Sequence, residues 1–142
     1  MDYSTKGLSL TKSFEGCKLK SYQDQKGVWT IGYGHTKAVT GNMTCTQEQA
    51  DRWLVADIAE SVSAVNRLVK VKLTQYEFDA LVDFVFNLGQ GNFQSSTLLK
   101  KLNAGDKAGA TAEFPRWDKC GGVPNNGLAR RRKAEQDMFL GK

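Results

Sequence analysis

The sequence predicts an α+β protein, built as a small N-terminal αβ lobe joined by a long helix to a larger all-α lobe. Three observations carry this. Strand-forming residues interleaved with glycines are confined to one early stretch, residues 19–35. Apolar residues then recur every three or four positions from Ala50 to Leu68. Beyond that, shorter amphipathic patterns alternate with Gly- and Asn-rich turns.

The elements follow in order. Leu8, Leu10 and Phe14 lie at roughly helical spacing, and Gly16 is a helix stop, so Glu15 falls at the C-terminal end of a first helix. A carboxylate there faces the negative end of the helix dipole, which is electrostatically unfavourable and hints at a role beyond solubility. Tyr22, Val28, Trp29, Ile31 and Tyr33 then form a ribbon, and Asp24–Gly27 reads as its hairpin turn with Gly27 at positive φ. Residues 37–45 read as loop. Thr46 and Gln49 form a capping box that opens the long helix. Thr74 caps the next helix, which carries Phe78, Leu81, Val82 and Val85 and ends at Gly89 and Gly91. Three shorter helices are expected over 97–102, 106–114 and 129–139.

The chain of 142 residues suits one well-filled domain, or two lobes sharing a helix, and is too short for two independent domains. Its 40% apolar and 25% charged content is that of an ordinary soluble globule. No apolar run approaches the roughly 20 residues needed to span a bilayer. The opening "MDYSTKGLSL" carries neither a basic leader nor an apolar core, so no secretory signal and no stable membrane insertion are expected. The formal charge of +5, concentrated at Arg130, Arg131, Arg132 and Lys133, suits a polyanionic partner. The basic cluster lacks interleaved aromatics, which argues against nucleic acid as that partner. Cys17, Cys45 and Cys120 show no zinc-ligand spacing, and free thiols in a reducing compartment are expected. A lone His35 cannot anchor a multi-histidine metal site and reads as a core imidazole, with Asp57 as its acidic partner. No metal and no cofactor are expected.

The chemistry rests on Glu15, Asp24 and Thr30. Glycoside cleavage needs one carboxylic acid to protonate the leaving oxygen and a second carboxylate to activate water or attack carbon. Spacing alone is weak, since any two acids nine residues apart qualify, and Thr30 on a strand could simply pack its methyl. The combination is more specific. Glu-x8-Asp-x5-Thr running into "TIGYGHT", then "DALVDFVFNLG", "FQSSTLL" and "GLARRRKAE", resembles the tailed-phage lysozymes (endolysins) of glycoside hydrolase family 24. The blocks occur in the family's order and span most of the chain, while 37–45 and 119–126 match less clearly.

The resemblance implies a single lysozyme-like catalytic domain over 1–142, with a small lobe at about 15–45, a linking helix at about 46–68 and a large lobe at about 69–142 onto which the N-terminal helix packs. It implies Glu15 as proton donor, Asp24 as the carboxylate beside the anomeric carbon and Thr30 as the neighbour that orients water. Substrate contacts follow at Thr36, Phe86 and Ser96, and Arg131 and Arg132 match the family's basic pair. The implied substrate is peptidoglycan, cut between N-acetylmuramic acid and N-acetylglucosamine with inversion, and its anionic peptide stems would attract a basic enzyme. The alternatives are a catalytically inactive wall-binding protein and a lytic transglycosylase. A monomer is expected, accumulating in the host cytoplasm and reaching the periplasm and cell wall through a lesion made by a separate membrane-permeabilising protein.

Overall fold

The computed structural model describes all 142 residues and has the expected α+β class. Its elements are α1 (Thr5–Glu15), β1 (Lys18–Gln23), β2 (Trp29–Gly32), α2 (Gln47–Leu68), α3 (Gln75–Leu88), α4 (Gln90–Gln94), α5 (Thr97–Asn103), α6 (Lys107–Glu113), a 3₁₀ turn (Phe114–Arg116), β3 (Lys119–Cys120), β4 (Val123–Pro124) and α7 (Asn126–Phe139). No helix is long and apolar enough to cross a membrane. The chain divides into two compact units, Ser9–Glu60 and Met1–Leu8 with Ser61–Lys142.

In the Ser9–Glu60 unit, β1 and β2 pair antiparallel with Tyr22 opposite Thr30 and Gln23 opposite Trp29, and an irregularity separates these from the Lys18–Gly32 pair. The turn between them has Gly27 at φ 80°, as expected for a residue that must turn left-handed. Part of the loop at 37–45 pairs with the ribbon: Lys20 bridges Thr44, and the Cys45 amide donates to the Leu19 carbonyl at 2.9 Å. The capping box of α2 is complete, with Thr46 N–H donating to Gln49 Oε1 at 2.9 Å and Gln49 N–H to Thr46 Oγ1 at 3.1 Å. Ile31, Ala50, Leu54 and Ile58 are buried. His35 has the partner expected: its Nδ1 lies 2.8 Å from Asp57 Oδ2, and its ring stacks on Trp53 at 4.6 Å.

In the other unit, α3 is buried along Phe78–Val85 and supplies the centre of the core. Phe84 sits edge-on to Phe93, Phe114 and Trp117, with ring centroids 5.4–6.1 Å apart. Each such ring is worth about 1.5–3 kcal/mol when fully buried. Thr74 and Glu77 cap α3 reciprocally, and Lys107 holds Glu77 Oε1 at 2.9 Å. Arg131 forks Asp83 through Nε and Nη2, both at 2.9 Å. Arg132, fully buried, reaches Glu135 and Asn87. Cys17 and Cys45 are half-buried and Cys120 is exposed, all as free thiols.

Several boundaries differ from the expected ones, each for a local reason. The helix expected over 106–114 is α6 followed by a 3₁₀ turn, because Pro115 has no N–H to continue the ladder. The helix expected from residue 129 begins at Asn126, because Asn125 accepts from Leu128 N–H as an N-cap where Asn-Gly had suggested only turn. Gly89, expected to end a helix, both ends α3 and opens α4. The β3–β4 hairpin, turned by Gly121 and Gly122 at positive φ, lies where only loop was expected.

Candidate active site

Helix α1 stops where the sequence indicates. Gly16 has φ 67° and its N–H donates to Lys12 O at 3.1 Å, so Glu15 is the last helical residue. The Glu15 side chain is half-buried. The turn after β2 comes against it: a β-carbon on Gly34 would lie 3.2 Å from Glu15 Oε1. Ile31 and His35 exchange both backbone hydrogen bonds at 2.9 Å across that turn, and Asp57 and Trp53 hold the His35 ring.

Asp24 stands at the mouth of the hairpin, exposed to solvent. Its Oδ1 accepts from the Lys26 and Val28 amides at 2.8 and 2.9 Å, which fixes the carboxylate against the turn. Thr30 is buried, and its hydroxyl donates to the Val28 carbonyl at 3.0 Å. That same carbonyl accepts the Asp24 amide at 2.9 Å. One peptide segment at Val28 therefore ties Asp24 and Thr30 together. With its hydrogen engaged by the Val28 carbonyl, the Thr30 oxygen can still accept a hydrogen bond.

Tyr22 is the residue that sequence reasoning passed over. Its phenol is held above its usual range, first by partial burial and then by the charges of Glu15 and Asp24, so both carboxylates act on one hydroxyl. The signal was available, because Tyr22 precedes Asp24 by two residues on an alternating strand.

The expected substrate contacts differ in character. Thr36 is exposed in the unit that holds Glu15, Asp24 and Thr30. Phe86 and Ser96 belong to the other unit, where Phe86 is half-buried near the end of α3. Ser96 is buried, and its hydroxyl donates to Phe93 O at 2.7 Å while accepting from Leu99 N–H at 3.1 Å. It is first an N-cap for α5. No three His, Cys, Asp or Glu side chains gather as metal ligands.

Comparison with known proteins gives the class: this is a glycoside hydrolase with the lysozyme fold. Residues 12–135 match the family model described as phage lysozyme, and the chain belongs to that family. An endolysin of Acyrthosiphon pisum secondary endosymbiont phage 1 is 48% identical over 98% of each chain. Among solved structures, the endolysin from Escherichia coli O157:H7 phage FAHEc1 has a TM-score of 0.93 and 43% identity, covering 99% of this chain and 94% of its own. The muramidase domain of SpmX from Asticaccaulis excentricus has a TM-score of 0.92 and 39% identity, covering 98% and 97%.

Proposed function

We propose that this endolysin hydrolyses the β-1,4 bond between N-acetylmuramic acid and N-acetylglucosamine in peptidoglycan and so lyses the host. Glu15 protonates the leaving oxygen, Asp24 stands beside the anomeric carbon, and Thr30 helps to hold the attacking water. The observation that carries this reading is the Val28 backbone, which is hydrogen-bonded to both Asp24 and Thr30. The unlike settings of the two acids support it further, Glu15 being half-buried at a helix end and Asp24 exposed on a turn.

Thr36, Phe86 and Ser96 contact the glycan, Ser96 through its backbone given that its hydroxyl is committed to a helix cap. The catalytic domain is the whole of 1–142 and acts as a monomer. The protein accumulates in the cytoplasm and reaches the wall with the help of a separate membrane-permeabilising protein. Its charge of +5 favours approach to anionic peptide stems.

Mass analysis of the sugar ends released from purified peptidoglycan tests the reaction. Reducing muramic acid ends are expected. Anhydro-muramic ends would make the protein a lytic transglycosylase, and no release would leave it a wall-binding protein.

A further inference from the structure

The ribbon register sets Tyr22 directly opposite Thr30. Directly opposed residues of an antiparallel pair project from the same face, and alternation along a strand returns to that face two residues later. Asp24 is that residue, and its amide donates to the Val28 carbonyl in continuation of the pairing. Tyr22, Asp24 and Thr30 thus share one ribbon face, while Gln23 and Trp29 occupy the other. The Tyr22 ring is partly sheltered, with Lys18 Nζ 5.6 Å from its centroid.

The inventory of donors gives this tyrosine a task. Asp24 as a carboxylate only accepts hydrogen bonds. The Thr30 hydrogen is committed to Val28 O. Any proton on Glu15 is required by the leaving oxygen. A saccharide presents hydroxyl, acetamido and ring oxygens, and these need donors. The Tyr22 phenol, whose ionisation is suppressed by burial and by both carboxylates, keeps its O–H through the neutral range.

We infer that Tyr22 is a further substrate-contacting residue of this site, its phenol O–H donating to an oxygen of the saccharide held against Asp24 and Thr30. The inference rests on the proposed roles of Glu15 and Asp24. Tyr22→Phe removes the donor while keeping the ring and its contact with Lys18.

The probe is a purified oligosaccharide of alternating N-acetylglucosamine and N-acetylmuramic acid, titrated calorimetrically into Glu15→Gln and into the Glu15→Gln/Tyr22→Phe double variant. Loss of one neutral hydrogen bond should weaken binding by about three- to tenfold. Tyr22→Phe alone should keep the wild-type melting profile and lose at least the same factor in kcat/KM. Equal affinities in the two inactive proteins, with Tyr22→Phe kinetically unchanged, would overturn the Tyr22 contact and leave the acid assignment standing. Turnover surviving in a folded Glu15→Gln protein would instead overturn the catalytic reading beneath it.

Discussion

Gly34 lies so close to Glu15 that a β-carbon at position 34 would stand 3.2 Å from the carboxylate Oε1. The glycine also sits at φ 81°, in the left-handed region. Two separate costs therefore meet at one residue, and a suitable control separates them. Gly34→Ala should lose about 1–2 kcal/mol of stability from the backbone alone. It should also displace the Glu15 side chain, which a flexible carboxylate accommodates by moving out of position. Gly105, at φ 85° with nothing within 4 Å, carries the first cost without the second. Melting curves should show similar losses for Gly34→Ala and Gly105→Ala, while turbidity clearance falls about tenfold or more only in Gly34→Ala. Equal activities at equal folded fractions would show that the close approach is irrelevant to Glu15.

The His35–Asp57 pair should contribute to stability rather than to chemistry. The two side chains are only 10% and 18% exposed and meet at 2.8 Å, with Trp53 stacked on the imidazole. Asp57→Asn should cost about 1.5–3 kcal/mol in urea unfolding, the range for a hydrogen bond involving a charged group. A double-mutant cycle with His35→Asn should recover much of that as coupling. A coupling energy of zero would mean that the Trp53 stack alone holds the ring.

Most of the fold was legible because its punctuation is local. Gly16, Thr46 and Thr74 mark helix ends through caps that involve neighbours three or four residues away. The pairing of His35 with Asp57 could be named in advance because the sequence has one histidine and a helix to face it. What stayed hidden depends on geometry that spacing does not carry. The two-residue strands β3 and β4 have too few residues to show a period. The bond from the Thr30 hydroxyl to the Val28 carbonyl depends on a side-chain rotamer, and the placing of Tyr22 opposite Thr30 on the ribbon's register. Ser96 was expected as a ligand contact from its block in the sequence, and its capping bonds appear only once α5 is built.

Glu135 should give the fold a recognisable pH dependence. Its carboxyl is pushed well above the ordinary range, first by burial and then by Asp83, with Arg132 opposing the shift. Arg131 also lies 3.9 Å away, so two arginines and one other acid face it. The folded state then binds more protons than the unfolded state between the ordinary glutamate range and the raised value. By linkage, Glu135's contribution is fully present below about pH 4.3 and is lost as pH rises through the folded-state pKa. Glu135→Gln removes that titration and adds a constant cost for a buried arginine left without its charge partner. The stability of Glu135→Gln relative to wild type, from urea unfolding across pH, should therefore rise with pH above that point. A difference that is flat or falls would mean that Arg132 outweighs burial.

The Val28 link between Asp24 and Thr30 bears directly on stereochemistry. A retaining enzyme places its second carboxylate roughly 5–5.5 Å from the acid, and an inverting one roughly 6.5–9.5 Å away so that water fits. An attacking carboxylate needs no hydroxyl beside it, whereas a water to be aimed needs two acceptors at fixed separation. On the proposed roles Asp24 and the Thr30 oxygen are those two acceptors, and Val28 binds both residues through its backbone. Its own side chain is 43% exposed and takes no part in the link, so Val28→Ala should be nearly silent. Thr30→Ser keeps the oxygen and should retain most activity. Thr30→Ala should lose about 10²-fold or more in rate while melting within a few degrees of wild type. The first product from the β-linked substrate should be the α-anomer, read by proton NMR before mutarotation. An initial β-anomer, together with a Thr30→Ala enzyme that still turns over, would make Asp24 the nucleophile and leave Thr30 a strand residue that packs its methyl.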